Sequence, residues 1–245
     1  DLVAVEAPLT IVAGGRSLGV FMRTPGDDAA LALGLLYAEG VIARRADIAA
    51  LDLAVDADGV SATLTITLAP GVTLAPEALD RSGLSTTACG LCGRLSLETT
   101  SGVVFSETTP DVVFSGTGLV PEVVFALPAR LKAAQRAFAE TGGLHAAAFV
   151  TPEGELVDLA EDVGRHNAVD KIVGRALEAG TLPAHDRWLV VSGRVAFEIV
   201  QKAARAGVAA LVAIGAPTSL AVQAAREARL PLVGFAKDGS YNVYV

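Results

Sequence analysis

Cysteine, aromatic residues and positive charge are all scarce in this chain, and each shortage closes off a class of protein. Two cysteines in 245 residues cannot build the disulfide framework of a small secreted domain, and a chain this long and 52% hydrophobic buries a core without one. Aromatic residues make up 5%, which leaves few platforms on which single-stranded bases could stack. Lysine and arginine number 19 against 27 aspartates and glutamates, and the net charge of −8 argues against wrapping nucleic acid through a summed basic field. A local basic pocket for a compact anion stays compatible with that balance. Long hydrophobic runs are missing as well: the stretch Ala206 to Ala216 includes glycine and is too short to span a bilayer. No basic apolar leader opens the chain, so a cytoplasmic protein with no membrane partner is expected. Asp1 stands where an initiator Met would, so an upstream segment is expected too.

What is there begins with the two cysteines themselves. Cys89 and Cys92 sit in Leu84-Ser85-Thr86-Thr87-Ala88-Cys89-Gly90-Leu91-Cys92-Gly93, a small, polar stretch in which Gly90 and Gly93 let the backbone turn freely. Inert thiols more often lie in apolar runs, so this pair reads as chemical, with three chemistries open: a dithiol/disulfide couple, half of a zinc site, or a thiolate that carries sulfur as a persulfide. Zinc is weakened by ligand counting. A structural site closes with four ligands, and the chain offers neither a second CxxC nor a close His pair. The deaminase pattern H-x-E followed by P-C-x-x-C fails as well, because His145 and His166 follow the cysteines and Ala88 occupies the proline position. A thioredoxin-like couple needs a helix after the first cysteine, and Gly93, Ser96, Thr99 and Thr100 make a poor one. An exposed loop thiol suits handing a group between two partners, with the second cysteine assisting or resolving the adduct.

The expected architecture is α/β in two regions, 1–125 and 126–245. In the first, Leu9 to Val12, Leu18 to Met22 and the alternating Val60 to Leu68 read as strands around a helix over Ala29 to Glu39, a small α+β unit. Arg94 to Val120 is rich in Ser, Thr and Gly and reads as connector, with Pro110 and Pro121 marking turns. In the second region, Pro128 to Glu140 is expected to be helical and to stop at Gly142-Gly143. A hairpin over Ala146 to Val150 and Leu156 to Leu159 and a helix over Arg165 to Glu178 follow. Strands Trp188 to Val191, Ala209 to Ile214 and Leu232 to Phe235 then alternate with helices Ala196 to Ala206 and Thr218 to Ala228, which predicts a buried, layered sheet. Tyr241 to Val245 adds an edge strand.

Open α/β sheets bind ligands beyond the carboxyl ends of their strands, where helix N-termini offer unpaired N–H groups. Ser192-Gly193-Arg194 and Gly215 to Ser219 occupy such junctions, and Gly234 to Ser240 another strand end. Either junction alone also reads as ordinary helix capping, with Pro217 near a first helical position. No Walker A pattern is present, so nothing supports triphosphate hydrolysis. The densest polar run, Glu161 to Lys171, places His166 and Asp170 on one helix face and Asn167 and Lys171 on another, and its first turn presents Arg165, His166 and Asn167 to a ligand. Read alone, His166 belongs equally to a capped, solvated helix start. His145 reads as readily as a structural histidine, and His185 as loop.

Taken together and in order, these motifs resemble the FdhD family of formate dehydrogenase accessory sulfurtransferases. The matching segments are Met22 to Asp28, Cys89 to Gly93, Thr141 to His145, Asp162 to Lys171, Val191 to Arg194 and Gly234 to Gly239. Each is weak alone, but the polar run beside the lone CxxC is specific. The resemblance implies a sulfur carrier that accepts sulfur from a cysteine desulfurase as a persulfide on Cys89, with Cys92 supporting transfer. The sulfur is delivered to the bis(molybdopterin guanine dinucleotide) cofactor before its insertion into formate dehydrogenase. It further implies cofactor contacts from Phe235, Ala236, Lys237, Asp238, Gly239 and Ser240, a deaminase-like three-layer α/β/α fold for the C-terminal region, and a homodimer. The strand-end residues Ser192 and Arg194 and the helix-start residues Arg165 and His166 complete the expected cofactor site, and no metal ligands are expected. A chaperone that binds the cofactor without sulfur chemistry is the main alternative, and a redox sensor a third.

Overall fold

The structure, a computed structural model, describes residues 1–74 and 119–245. Cys89, Cys92 and nearly all of the expected connector lie outside the described residues.

Strands β1 (Ala7–Ala13) and β2 (Arg16–Arg23) form an antiparallel hairpin. β1 also pairs in parallel with β4 (Ala62–Leu68), whose other edge takes β3 (Ile48–Val55) antiparallel, giving the order β2-β1-β4-β3. Alternation explains the sheet's one wet face: Ala62, Leu64 and Ile66 are buried while Thr65 and Thr67 face out. The buried face receives α1 (Asp28–Ala38), in which Leu31, Leu33, Leu35 and Leu36 leave no polar side, so the helix is enclosed all round. At the β2–α1 corner, Arg23 donates from Nε and Nη2 to the two carboxylate oxygens of Asp28, both at 2.8 Å, and both side chains are buried. Nη1 of Arg23 also donates to the carbonyls of Ala7 at 3.2 Å and Val60 at 2.8 Å, so the guanidinium ties the corner to both sheet ends.

The helix expected over Pro128 to Glu140 is two helices with an earlier start, α2 (Pro121–Ala134) and α3 (Arg136–Thr141). Pro121 opens α2 at a position where its missing N–H costs nothing, and the break falls at Gln135, whose ψ of 89° is not helical. Gly142, at φ 69°, ends α3 in the left-handed conformation that glycine takes without steric cost.

The second sheet is built from β5 (His145–Val150), β6 (Leu156–Asp162), β7 (Trp188–Val191), β8 (Ala210–Ala213), β9 (Leu232–Lys237) and β10 (Ser240–Val243) in the order β10-β9-β8-β7-β5-β6. β7, β8 and β9 are parallel, while β5, β6 and β10 each run antiparallel to the strand they join. Helices α4 (Arg165–Glu178), α5 (Phe197–Ala206) and α6 (Ser219–Glu227) cover one face over Ala147, Phe149, Leu189, Val191 and Leu211. Val124, Leu127 and Leu131 of α2 cover the other over Ala148, Val190 and Val212. The chain is thus mixed α/β with two mixed sheets and helices. No helix among the described residues is long and apolar enough to cross a membrane.

Contact between the two sheets runs through crossed helices. Gly34 of α1 lies against the backbone of Asp170 on α4, and Gly174 of α4 against that of Ala30 on α1. A Cβ at Gly34 would sit 1.9 Å from the Asp170 carbonyl oxygen, and one at Gly174 1.8 Å from that of Ala30. The helices meet backbone to backbone, which only glycine permits at these two positions.

Candidate functional site at the strand ends

The strand directions decide which residues meet. Because β5 is antiparallel to β7, its first residue, His145, lies at the edge where β7, β8 and β9 end. The register pairs His145 with Asp162, the last residue of β6, so the turn into α4 starts at the same edge. His145, the start of α4, Ser192 to Arg194, Gly215 to Thr218 and Phe235 to Ser240 therefore line one rim of the sheet.

Between strands and helices, the loops after β7 and β8 keep sheet-like spacing. The N–H of Val195 donates to Ala216 O at 3.1 Å and that of Thr218 to Val195 O at 2.9 Å, a short parallel bridge beyond the strands. The N–H of Phe235 donates to Gly215 O at 3.1 Å and ties in β9. Such tight lateral packing demands glycine: a Cβ on Gly215 would lie 2.6 Å from Gly193 O and 2.8 Å from Arg194 N. The Thr218 hydroxyl caps α6 by accepting from Ala221 N at 3.3 Å, so this junction does carry the ordinary cap. Ser192 is committed to the sheet, its Oγ accepting from Ala146 N at 2.9 Å, whereas Arg194 is exposed at the rim.

Phe235 has a left-handed backbone, φ 53°, inside a strand, and the residue is 47% exposed. A bulky residue in that region is strained, and the bond from its N–H to Gly215 holds it there. Ala236 returns to the interior, while Lys237, Asp238, Gly239 and Ser240 are exposed; Lys237 pairs with Ser240 across a turn at Asp238-Gly239. β9 thus extends past the ends of β7 and β8 and stands as a lip, with an aromatic ring and an ammonium group, over the glycine loops.

The polar run at the start of α4 divides by helix face, as its spacing implies. Asp162, fully buried, accepts from Lys171 Nζ at 2.8 Å and Thr24 N at 3.1 Å on one oxygen, and from Gly164 N at 2.8 Å and Asn167 Nδ2 at 2.9 Å on the other. Lys171 also reaches Thr24 O at 2.8 Å, and Asn167 reaches Met22 O at 2.8 Å. This face anchors the β2–α1 segment. The adjoining face meets α5 in two rungs one helical turn apart: His166 Nε2 stands 3.9 Å from Glu198 Oε2, and Lys202 Nζ 2.5 Å from Asp170 Oδ1. His166 is buried against Glu198, while Arg165, half-buried, stays at the rim.

His145 belongs to this rim, which sequence alone did not single out, since only the antiparallel pairing of β5 brings it there. Burial, and then the guanidiniums of Arg165 and Arg194, push its imidazole below the ordinary value, with Asp162 pulling the other way. Arg165, Arg194, His145 and the lysine-bearing lip thus gather at one rim of an acidic protein, a candidate site for an anion.

The fold is mixed α/β, with basic side chains gathered beyond the ends of parallel strands, the place where open α/β sheets commonly take ligands. Comparison with known proteins narrows that description. The model of the FdhD/NarQ family matches residues 4–245, and the chain belongs to that family. It is 48% identical to the sulfur carrier protein FdhD of Streptomyces avermitilis over 100% of this chain and 87% of that protein. With the sulfur carrier protein FdhD of Mycobacterium tuberculosis it shares 41% identity over 100% of this chain and 90% of that protein. The crystal structure of a candidate formate dehydrogenase accessory protein from Desulfotalea psychrophila superposes with a TM-score of 0.68 at 22% identity, covering 98% of this chain and 86% of that one, a likeness of fold.

Proposed function

We propose that this chain is a sulfurtransferase that carries sulfur for the maturation of a molybdenum cofactor. Cys89 thiolate attacks the outer sulfur of a cysteine desulfurase's persulfide; the desulfurase cysteine leaves as its thiolate and a new persulfide stands on Cys89, with no net oxidation. Cys92 supports delivery to bis(molybdopterin guanine dinucleotide), which is substrate here and is then inserted into formate dehydrogenase. The curated relatives' name, sulfur carrier protein FdhD, supports the sulfur half of this reading.

The observation that carries the cofactor half is the rim itself. Arg165, Arg194 and Lys237 supply positive charge, and the exposed Phe235 offers a face to a purine. A guanine dinucleotide has that combination of base and phosphates. A deaminase-like layering of the C-terminal region, a homodimer and a cytoplasmic setting belong to the same proposal.

Complementation of a strain lacking its own accessory protein, scored by formate dehydrogenase activity, tests the whole. Cys89→Ala is expected to abolish rescue, and full rescue by that variant would sink the persulfide role. Mass spectrometry after incubation with a desulfurase and cysteine is expected to find one added sulfur on Cys89. A cofactor chaperone without sulfur chemistry, which the binding character of the rim equally favours, predicts rescue by Cys89→Ala and its loss in Arg194→Ala or Lys237→Ala.

A further inference from the structure

One titratable group at the rim has no part in that function. His145 lies directly on the backbone of Gly193: a Cβ there would sit 3.2 Å from His145 Nδ1, 3.4 Å from its Cε1 and 3.5 Å from Cδ of Arg165. The imidazole edge and the arginine stem therefore share the space that the missing side chain leaves. Three charged groups act on the imidazole, each from a different element. Arg165 does so from α4, Arg194 from the loop between β7 and α5, and Asp162 from the end of β6. Partial burial, and then two positive neighbours, outweigh one carboxylate that is already occupied by Lys171. The rim thus disfavours the protonated imidazole.

An arriving phosphate reverses this balance. Its negative oxygens cancel the repulsion from the two guanidiniums and add an attraction of their own. We propose that His145 is the proton-linked residue of the rim: a phosphate group binding beside Arg165 and Arg194 favours the protonated imidazole, which donates a hydrogen bond to it, so that binding draws protons from solvent. The inference rests on the reading of this rim as a phosphate site. Its sign follows from linkage. The bound state holds the proton more tightly, so affinity is flat at high pH and rises as pH falls through the bound-state value. It levels off below the free-state value, and each unit between the two is about tenfold in affinity.

Guanosine diphosphate and inorganic pyrophosphate are the probes, titrated calorimetrically into the full chain from about pH 5.5 to pH 8, the range in which a histidine switches. The wild type is expected to take up as much as about half a proton per ligand more than His145→Gln, at the pH midway between the two values, and to gain about tenfold in affinity over that variant toward the acid end. The ligand's own phosphate titrates near pH 6 and cancels in that comparison. Proton NMR of the unaltered protein provides a second readout: the His145 ring resonance titrates below the free-histidine range and moves upward when guanosine diphosphate saturates the site. Binding with identical pH profiles in wild type and His145→Gln, or a His145 titration that the ligand leaves in place, overturns the role of His145 alone. Failure of either probe to bind at any pH overturns the phosphate site and this inference together.

Discussion

Asp162 accepts four hydrogen bonds in a position with no solvent, and three of its partners belong to segments that would otherwise have no reason to meet. Thr24 comes from the β2–α1 segment, while Asn167 and Lys171 come from the first two turns of α4. The carboxylate thereby fixes the start of α4, and with it Arg165, relative to the rim. Asp162→Asn keeps the shape but leaves the Lys171 ammonium buried without its counter-charge, a loss of about 3–5 kcal/mol. Urea unfolding is expected to register it as a lower midpoint with an unchanged slope. Asp162→Asn combined with Lys171→Met is expected to recover part of that loss, because the charge left unpaired is then gone. The spacing of this run was legible in the sequence: Asn167 and Lys171 do share a face, and His166 and Asp170 another. What spacing cannot convey is the identity of the partner on each side. Asp162 and Thr24 lie on one flank and Glu198 and Lys202 on the other, brought there by pairings across more than a hundred residues or between separate helices.

Among the elements, α1 and α4 show how local pattern and long-range contact divide the information. The Arg165–Glu178 helix is readable because its apolar residues recur at helical spacing and Gly180 follows them. Nothing in the surroundings of Gly174 marks it as a crossing point, since an isolated glycine in a helix reads only as a small loss of propensity. β3 escapes for a different reason. It is an edge strand in which Leu51, Leu53 and Val55 do recur at every second position, but Ala49, Ala50 and Ala54 blur the contrast between its faces, and Leu53 and Val55 are exposed. Pro121 shows a third kind of ambiguity, because proline marks both a turn and the first position of a helix. The crossing leads to a graded prediction. Gly174→Ala drives a methyl into the Ala30 carbonyl, and the helices must part, at a cost of about 3 kcal/mol or more. Gly180→Ala, at φ 68° with open space around it, carries only backbone strain of about 1 kcal/mol. Thermal melts of the two variants side by side are expected to separate them clearly, and equal midpoints would show that α1 and α4 do not bear on each other as described.

At the level of the whole molecule the question is whether two sheets make two cooperative units. One core passes from Leu9, Ile11 and Leu64 of the first sheet through Leu33 and Leu36 of α1 and Val169 and Ile172 of α4 to Leu189 and Leu211 of the second. α1 also docks on α5 by polar contacts: the Tyr37 hydroxyl donates to Arg205 O at 2.9 Å, and Arg205 Nε donates to Tyr37 O at 2.7 Å. With α1 enclosed on every side, neither layer around it keeps a finished surface when the other is removed. Independent units with a boundary near residue 125 would behave otherwise, and Trp188 distinguishes the cases. It is the single tryptophan, buried under α2 on the far face of the second sheet, remote from α1. A single core predicts that Gly34→Ala, placed in α1, lowers the Trp188 fluorescence midpoint in urea as far as it lowers the far-UV circular dichroism midpoint, with the two transitions coincident. A Trp188 transition left at the wild-type midpoint while the circular dichroism splits into two steps would mean that the second sheet stands without the first. The rim would then be held by residues 126–245 alone.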